Sequence, residues 1–113
     1  MKVSVIIPAG RGSASIDSCL ESLLVQDVPF DYEIIVTGAE IELPREERVR
    51  FVRVDDRNPA VRRNRAAAAA RGEILAFIDD DAIAAPDWIE RGARLLESDP
   101  SIRLVGGPDP APQ

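Results

Sequence analysis

The chain predicts an α/β fold: a three-layer, mainly parallel sheet in the strand order 3-2-1-4, with helices on both faces. Three observations carry this. Short apolar, β-branched runs recur along the 113 residues and read as strands covered on both faces. Between them stand segments with helical apolar spacing or an alanine run. Strands that alternate with helices are joined by right-handed crossovers and so lie parallel. The simplest arrangement puts strand 1 in the centre, strands 2 and 3 on one side, and strand 4 on the other.

The elements follow in order. Residues 3–7 (Val3-Ser4-Val5-Ile6-Ile7) form the first buried strand, and Pro8-Ala9-Gly10-Arg11-Gly12-Ser13 breaks it into a loop. Ile16, Cys19, Leu20, Leu23 and Leu24 then fall on one helix face, with Ser13 or Ser15 as N-cap. Cys19 on that face reads as an inert core residue. Pro29 closes the region, residues 32–36 form the second strand, and Thr37-Gly38-Ala39 is its exit. Residues 41–48 are polar and mixed, hence loop. Val49, Phe51, Val52 and Val54 make a third strand. Asn58 before Pro59 combines a capping side chain with proline at N1, so a helix starts there, runs to about Arg71 and stops at Gly72. Its alanines 66–70 supply a small-residue packing face. Residues 74–78 are the fourth strand, fully buried. Pro86-Asp87-Trp88 opens a third helix with proline near N1, and residues 102–105 form a last short strand. The domain thus covers 1–107, with a Pro-rich tail over 108–113.

Composition narrows the function. A net charge of −6 disfavours nucleic acid, which needs a basic surface. There is no histidine, so histidine catalysis and histidine metal sites are excluded within these residues. One cysteine permits neither an internal disulfide nor a zinc cluster, and a cytoplasmic location fits. The N-terminal apolar run is too short for a signal peptide, and no membrane segment of roughly 20 apolar residues occurs.

The most informative run is Ile74-Leu75-Ala76-Phe77-Ile78-Asp79-Asp80-Asp81. Three adjacent carboxylates at a strand end repel one another, and a cation or polar ligand offsets that charge. Hard divalent cations prefer such oxygens, and Mg²⁺ shares its shell with waters and substrate phosphates. The competing reading is a solvated acidic turn, with Asp80 or Asp81 capping a short helical turn at Ala82-Ile83. Position favours the first. In the order 3-2-1-4 the topological switch lies between strands 1 and 4, where open α/β sheets bind ligands. The loop 8–13 and the acidic triplet both fall there.

Several segments together resemble family 2 glycosyltransferases: Val3-Ser4-Val5-Ile6-Ile7-Pro8, Glu33-Ile34-Ile35-Val36, and Arg63-Asn64 ahead of Ala69, Arg71-Gly72-Glu73-Ile74. Phe77-Ile78-Asp79-Asp80-Asp81, Pro86-Asp87-Trp88 and Gly106-Gly107-Pro108 complete the pattern. The resemblance implies the GT-A fold, a nucleotide-sugar donor, Mg²⁺ or Mn²⁺, and inversion at the anomeric carbon. It makes Asp79 and Asp81 an Asp-x-Asp motif that holds the metal. Asp79 and Asp80 then serve the donor, with Pro8, Ala9, Arg11 and Arg63; Arg62 and Arg65 compete with Arg63 for its place near the phosphates.

The departures are informative. The family usually carries an aromatic-containing Thr-Tyr-Asn type of sequence after the first proline, where this chain has Ala9-Gly10-Arg11. It usually ends strand 2 in aspartates that recognise the base, where this chain has Thr37-Gly38-Ala39, so uridine specificity does not carry over. The acceptor half and the catalytic base of the family lie beyond the matching region. The chain therefore reads as a donor-binding half that is inactive in isolation and pairs with itself through uncovered sheet or helix surface. Two alternatives are a sugar-phosphate nucleotidyltransferase-like domain, from the glycine loop after strand 1, and a non-catalytic binding module that keeps the fold.

Overall fold

The computed structural model describes residues 1–9, 16–39, 41–98 and 105–106. Its elements are β1 (Val3–Pro8), α1 (Ile16–Leu24), β2 (Tyr32–Gly38), β3 (Val49–Arg53), α2 (Pro59–Ala69), β4 (Ile74–Phe77), α3 (Trp88–Ser98) and β5 (Val105–Gly106). The strands form one sheet in the order β3-β2-β1-β4-β5, every neighbouring pair parallel. This is the predicted order, with the short β5 added outside β4.

Alternation along the strands sorts the sheet into two covered faces. Val3, Val5 and Ile7 of β1 and Ile34 and Val36 of β2 pack in one core with the buried sides of α1 and α3. Ile6 and Ile35 point the other way, toward Ala66 of α2, and Leu75 and Phe77 pack there too. The alanine run is the packing face the sequence predicts: small side chains let α2 approach the sheet closely.

The helix ends follow local chemistry. Asn58 is extended (φ −67°, ψ 118°) and its Oδ1 accepts from Ala60 N at 2.9 Å, with proline at the next position. At the other end α2 stops at Ala69, short of the predicted Arg71, because Ala70 turns extended and donates back to Ala67 O. The third helix begins at Trp88, so Pro86 stands before it rather than at N1; a turn closed by Trp88 N to Ala85 O at 3.0 Å leads in. The expected caps Ser13 and Ser15, and residues 102–104 of the predicted last strand, lie outside the described residues.

One expectation is corrected. β4 is half-buried along its whole length, not fully buried. Its outer edge meets only Val105 and Gly106, opposite Ala76 and Phe77, so the first half of the strand has no strand beside it there among the described residues.

Candidate functional site at the strand ends

The site lies where β1 and β4 finish. The ladder continues past both strands, with Ala9 N bonding to Thr37 O at 2.8 Å and Ile78 N to Ile6 O at 3.1 Å. These bonds bury Ala9 and Ile78 and carry the acidic triplet out beside the exit of β1. A backbone bond from Ala82 N to Asp79 O (3.1 Å) then reverses the chain. The triplet is therefore a turn, and the helical turn at Ala82-Ile83 does not form. Asp79 and Asp81 are exposed and Asp80 is half-buried.

Behind the triplet lies Cys19, fully buried, its Sγ 3.5 Å from Asp79 O. Burial pushes its thiol pKa up to about 12, and the negative charges of Asp80, Asp81 and Asp79 push the same way. A thiol so placed stays protonated and unreactive at neutral pH, in keeping with the core role its helix position predicts.

The structure separates the competing arginines. Arg62 reaches back across the sheet edge, donating from Nη1 to Ala9 O at 2.7 Å and from Nε to Asp56 O at 2.8 Å. It ties the start of α2 to the exit of β1. Arg63, one residue on, is exposed, as is Arg65. Pro8, Ala9 and the triplet are thus brought to one edge, with Arg62 as the arginine bound there; Arg11 lies outside the described residues. At the exit of β2, a side chain on Gly38 would meet Ile41 Cδ1 at 3.0 Å and Ala9 O at 3.3 Å. Ile41 thus fills the space next to a strand end that carries no carboxylate at 37–39. The neighbouring Thr37 is fully buried and its Oγ1 has no hydrogen-bond partner.

Three features were not anticipated by reading the sequence. Ser22 and Gln26 of the α1 segment hold the backbone after the triplet, and a buried carboxylate sits at the other end of the sheet. That carboxylate, Glu33, accepts from Ser4 Oγ at 2.6 Å, Arg71 N at 2.8 Å and Arg50 Nε at 3.1 Å. Burial alone would raise its pKa; the bonds from Ser4, Arg71 N and Arg50, with the Arg50 charge, outweigh that and hold it below the ordinary glutamate value. The one signal available was parity: Ser4 and Glu33 are polar residues inside strands that are otherwise apolar.

Among the described residues, no group of three or more histidine, cysteine, aspartate or glutamate side chains is arranged to hold a metal ion by itself. Asp79 and Asp81 offer two carboxylates open to solvent, fewer than a closed protein shell needs. That suits a cation such as Mg²⁺, which keeps waters and takes phosphate oxygens, better than one needing an all-protein shell. Among the described residues, no helix is long and apolar enough to cross a membrane.

Comparison with known proteins bears on the family and the fold. The profile of glycosyl transferase family 2 matches residues 39–111. The chain is 33% identical over 118 residues to the glucosyl-dolichyl phosphate glucuronosyltransferase of Haloferax volcanii, covering 95% of this chain and 38% of that one. It is 31% identical over 94 residues to the poly(ribitol-phosphate) beta-glucosyltransferase of Bacillus spizizenii, covering 72% of this chain and 15% of that one. The chain thus spans well under half the length of these relatives. Among solved structures, S. aureus TarS 1-349 in complex with UDP superposes with a TM-score of 0.70 at 23% identity, over 87% of this chain and 32% of TarS 1-349. That likeness is one of fold and matches the GT-A arrangement of the sheet. With the profile covering most of its length, the chain belongs to glycosyl transferase family 2.

Proposed function

We propose that these residues form the donor-binding half of an inverting glycosyltransferase, which takes a nucleotide sugar through a divalent cation at Asp79 and Asp81. The observation that carries this reading is the position of the triplet, with Asp79 and Asp81 exposed at the end of β4, beside the exit of β1, at the switch point of the sheet. Asp79 and Asp81 would hold Mg²⁺ or Mn²⁺, and Asp80 would serve the donor. Pro8, Ala9 and Arg11 would line its path and Arg63 its phosphates, with Arg62 supporting the loop. The cation would supply charge stabilisation for the departing diphosphate. Complexes of TarS with UDP and UDP-GlcNAc support a nucleotide-sugar donor.

This reading places no acceptor site and no base among these residues. An inverting transfer needs a base that deprotonates the acceptor hydroxyl opposite the leaving group. The triplet is committed to the donor side, and no histidine exists to substitute. The 113 residues alone therefore bind donor and transfer no sugar. Ile83 and Leu95, both exposed, are surfaces through which such half-folds would pair.

Calorimetry tests the reading. UDP or GDP should bind more tightly with Mn²⁺ than without it, and Asp81→Ala should remove the metal's contribution. Equal binding with and without metal would leave a non-catalytic module as the better reading. Clear transfer to an acceptor by the isolated chain would show a base that this reading lacks.

A further inference from the structure

The segment from Asp79 to Asp87 contains no helix or strand, so its backbone groups need partners from elsewhere. Beyond the Ala82 N to Asp79 O bond of the turn itself, α1 and the residues just past it supply several of them. Ser22 Oγ accepts from Ala84 N at 2.9 Å while donating to Cys19 O at 2.7 Å. Just past α1, Gln26 is buried, with 8% of its surface exposed. Its Nε2 donates to Ala85 O at 2.5 Å and to Ser22 O at 3.0 Å, and its Oε1 accepts from Ile89 N at 2.9 Å. These partners fix the orientation of the amide, since the nitrogen faces two carbonyls and the oxygen an N–H. Asp27 N adds a bond to Pro86 O at 3.4 Å. The loop after the triplet is thus clipped from Ala84 to Ile89 along one stripe of α1 and its extension, and Cys19 of the same stripe touches the triplet's first carbonyl.

From this geometry we infer that Ser22 and Gln26 are positioning residues for the acidic turn: they hold the 79–87 backbone so that Asp79 and Asp81 converge on one cation. The inference rests on the reading of those carboxylates as a metal–diphosphate site. Two carboxylates on an irregular loop meet a cation only if the loop is held, because small octahedral cations tolerate little error in ligand placement. Groups that orient metal ligands without touching the metal typically change affinity by on the order of 10- to 100-fold when removed.

The experiment measures Mn²⁺-dependent binding of UDP, and in parallel of GDP, together with hydrogen exchange at the amides of Ala84 and Ile89. Ser22→Ala and Gln26→Met keep side-chain size and remove the bonds. Each should speed exchange at the amide it releases and weaken Mn²⁺-dependent nucleotide binding on the order of tenfold. Ser22→Thr restores the hydroxyl and should restore both; Ser22 is only partly buried, which leaves room for a methyl. Ser4→Ala, at the far end of the sheet, should lower stability without changing affinity. Faster exchange with unchanged affinity would reduce the clip to a structural role and overturn the inference. So would unchanged exchange. Should Gln26→Met fail to fold, Ser22→Ala with its threonine rescue decides alone. Loss of metal-dependent binding in the unsubstituted chain would sink the donor-site reading itself, whereas binding that persists equally in both variants would sink only the positioning role.

Discussion

At the end of the sheet where the strands begin, Glu33 is 3% exposed and both its carboxylate oxygens are bonded. At the end where they finish, Asp79 and Asp81 stand in solvent at a turn. Both ends carry carboxylates, yet they use them oppositely. The first is closed around its charge. Ser4 Oγ links Glu33 to Gly72 N at 2.8 Å, and Arg50 also donates to Ala69 O at 2.7 Å, at the last residue of α2. That network ties β1, β2, β3 and the end of α2 together, so its charge serves the fold. At the other end Asp79 and Asp81 keep their side chains in solvent, where the proposed donor site needs them. Substitutions at the two ends should therefore fail in different ways: lost stability at one, lost binding at the other.

The largest stability effect is expected at Glu33. Glu33→Ala leaves Ser4 Oγ, Arg71 N and the Arg50 guanidinium without their acceptor. Arg50 keeps 30% of its side chain exposed and can recover some solvent, so the loss should lie at about 2–3 kcal/mol, below that of a fully buried pair. Urea unfolding measures it; a loss within about 0.5 kcal/mol would mean the network does not support the fold. The pH dependence should follow the same group. Its folded pKa lies below the ordinary 4.5, so its contribution is complete above that value and is lost as pH falls through the lower, folded pKa. In Glu33→Gln that acid-side loss should be reduced.

Gly72→Ala comes next. A Cβ there would sit 2.5 Å from Ser4 N and 2.6 Å from the carbonyl carbon of Val3, both backbone atoms of the central strand. Neither can swing aside, so the connection into β4 must shift, at about 1–3 kcal/mol. A thermal midpoint equal to that of the unsubstituted chain would show that the close approach carries no strain.

Much of this architecture was legible in the residues, and the exceptions have physical causes. Apolar runs and helical spacing were enough for the strand order, and the switch-point rule then brought the triplet beside the β1 exit. Asn58-Pro59 marked a helix start because capping is local chemistry. The far end of α2 was less legible: Arg71 and Gly72 read as helix end, but Arg71 N is spent on Glu33, a partner 38 residues away. Ser22 and Gln26 escaped for the same reason, and the bonds that set Arg62 apart from Arg63 and Arg65 were not legible either. Their partners are backbone groups of distant loops, and periodicity says only which face a residue lies on. The full burial expected for β4 failed because its neighbours, not its own apolar run, decide how much is covered.

Thr37 offers a smaller effect of opposite sign. Its Oγ1 is buried without a partner at the end of β2. Thr37→Val keeps the shape and removes the orphan hydroxyl, so it should stabilise by about 1 kcal/mol. A destabilised valine variant would reveal that the hydroxyl has a partner, such as a buried water.

The smallest stability change is expected at the open end, and it gives the sharpest test of the contrast. Asp79 and Asp81 are exposed, and the backbone bond from Ala82 N to Asp79 O forms the turn whatever side chains it carries. Replacing either by alanine removes one of three crowded negative charges and exposes no apolar surface. Urea midpoints of Asp79→Ala and Asp81→Ala should therefore stay within about 0.5 kcal/mol of the unsubstituted chain, or rise slightly as repulsion is relieved. Added salt should shrink any rise, because it screens that repulsion. A loss comparable to that of Glu33→Ala would mean that these carboxylates support the fold as Glu33 does, and the two ends of the sheet would no longer differ in kind.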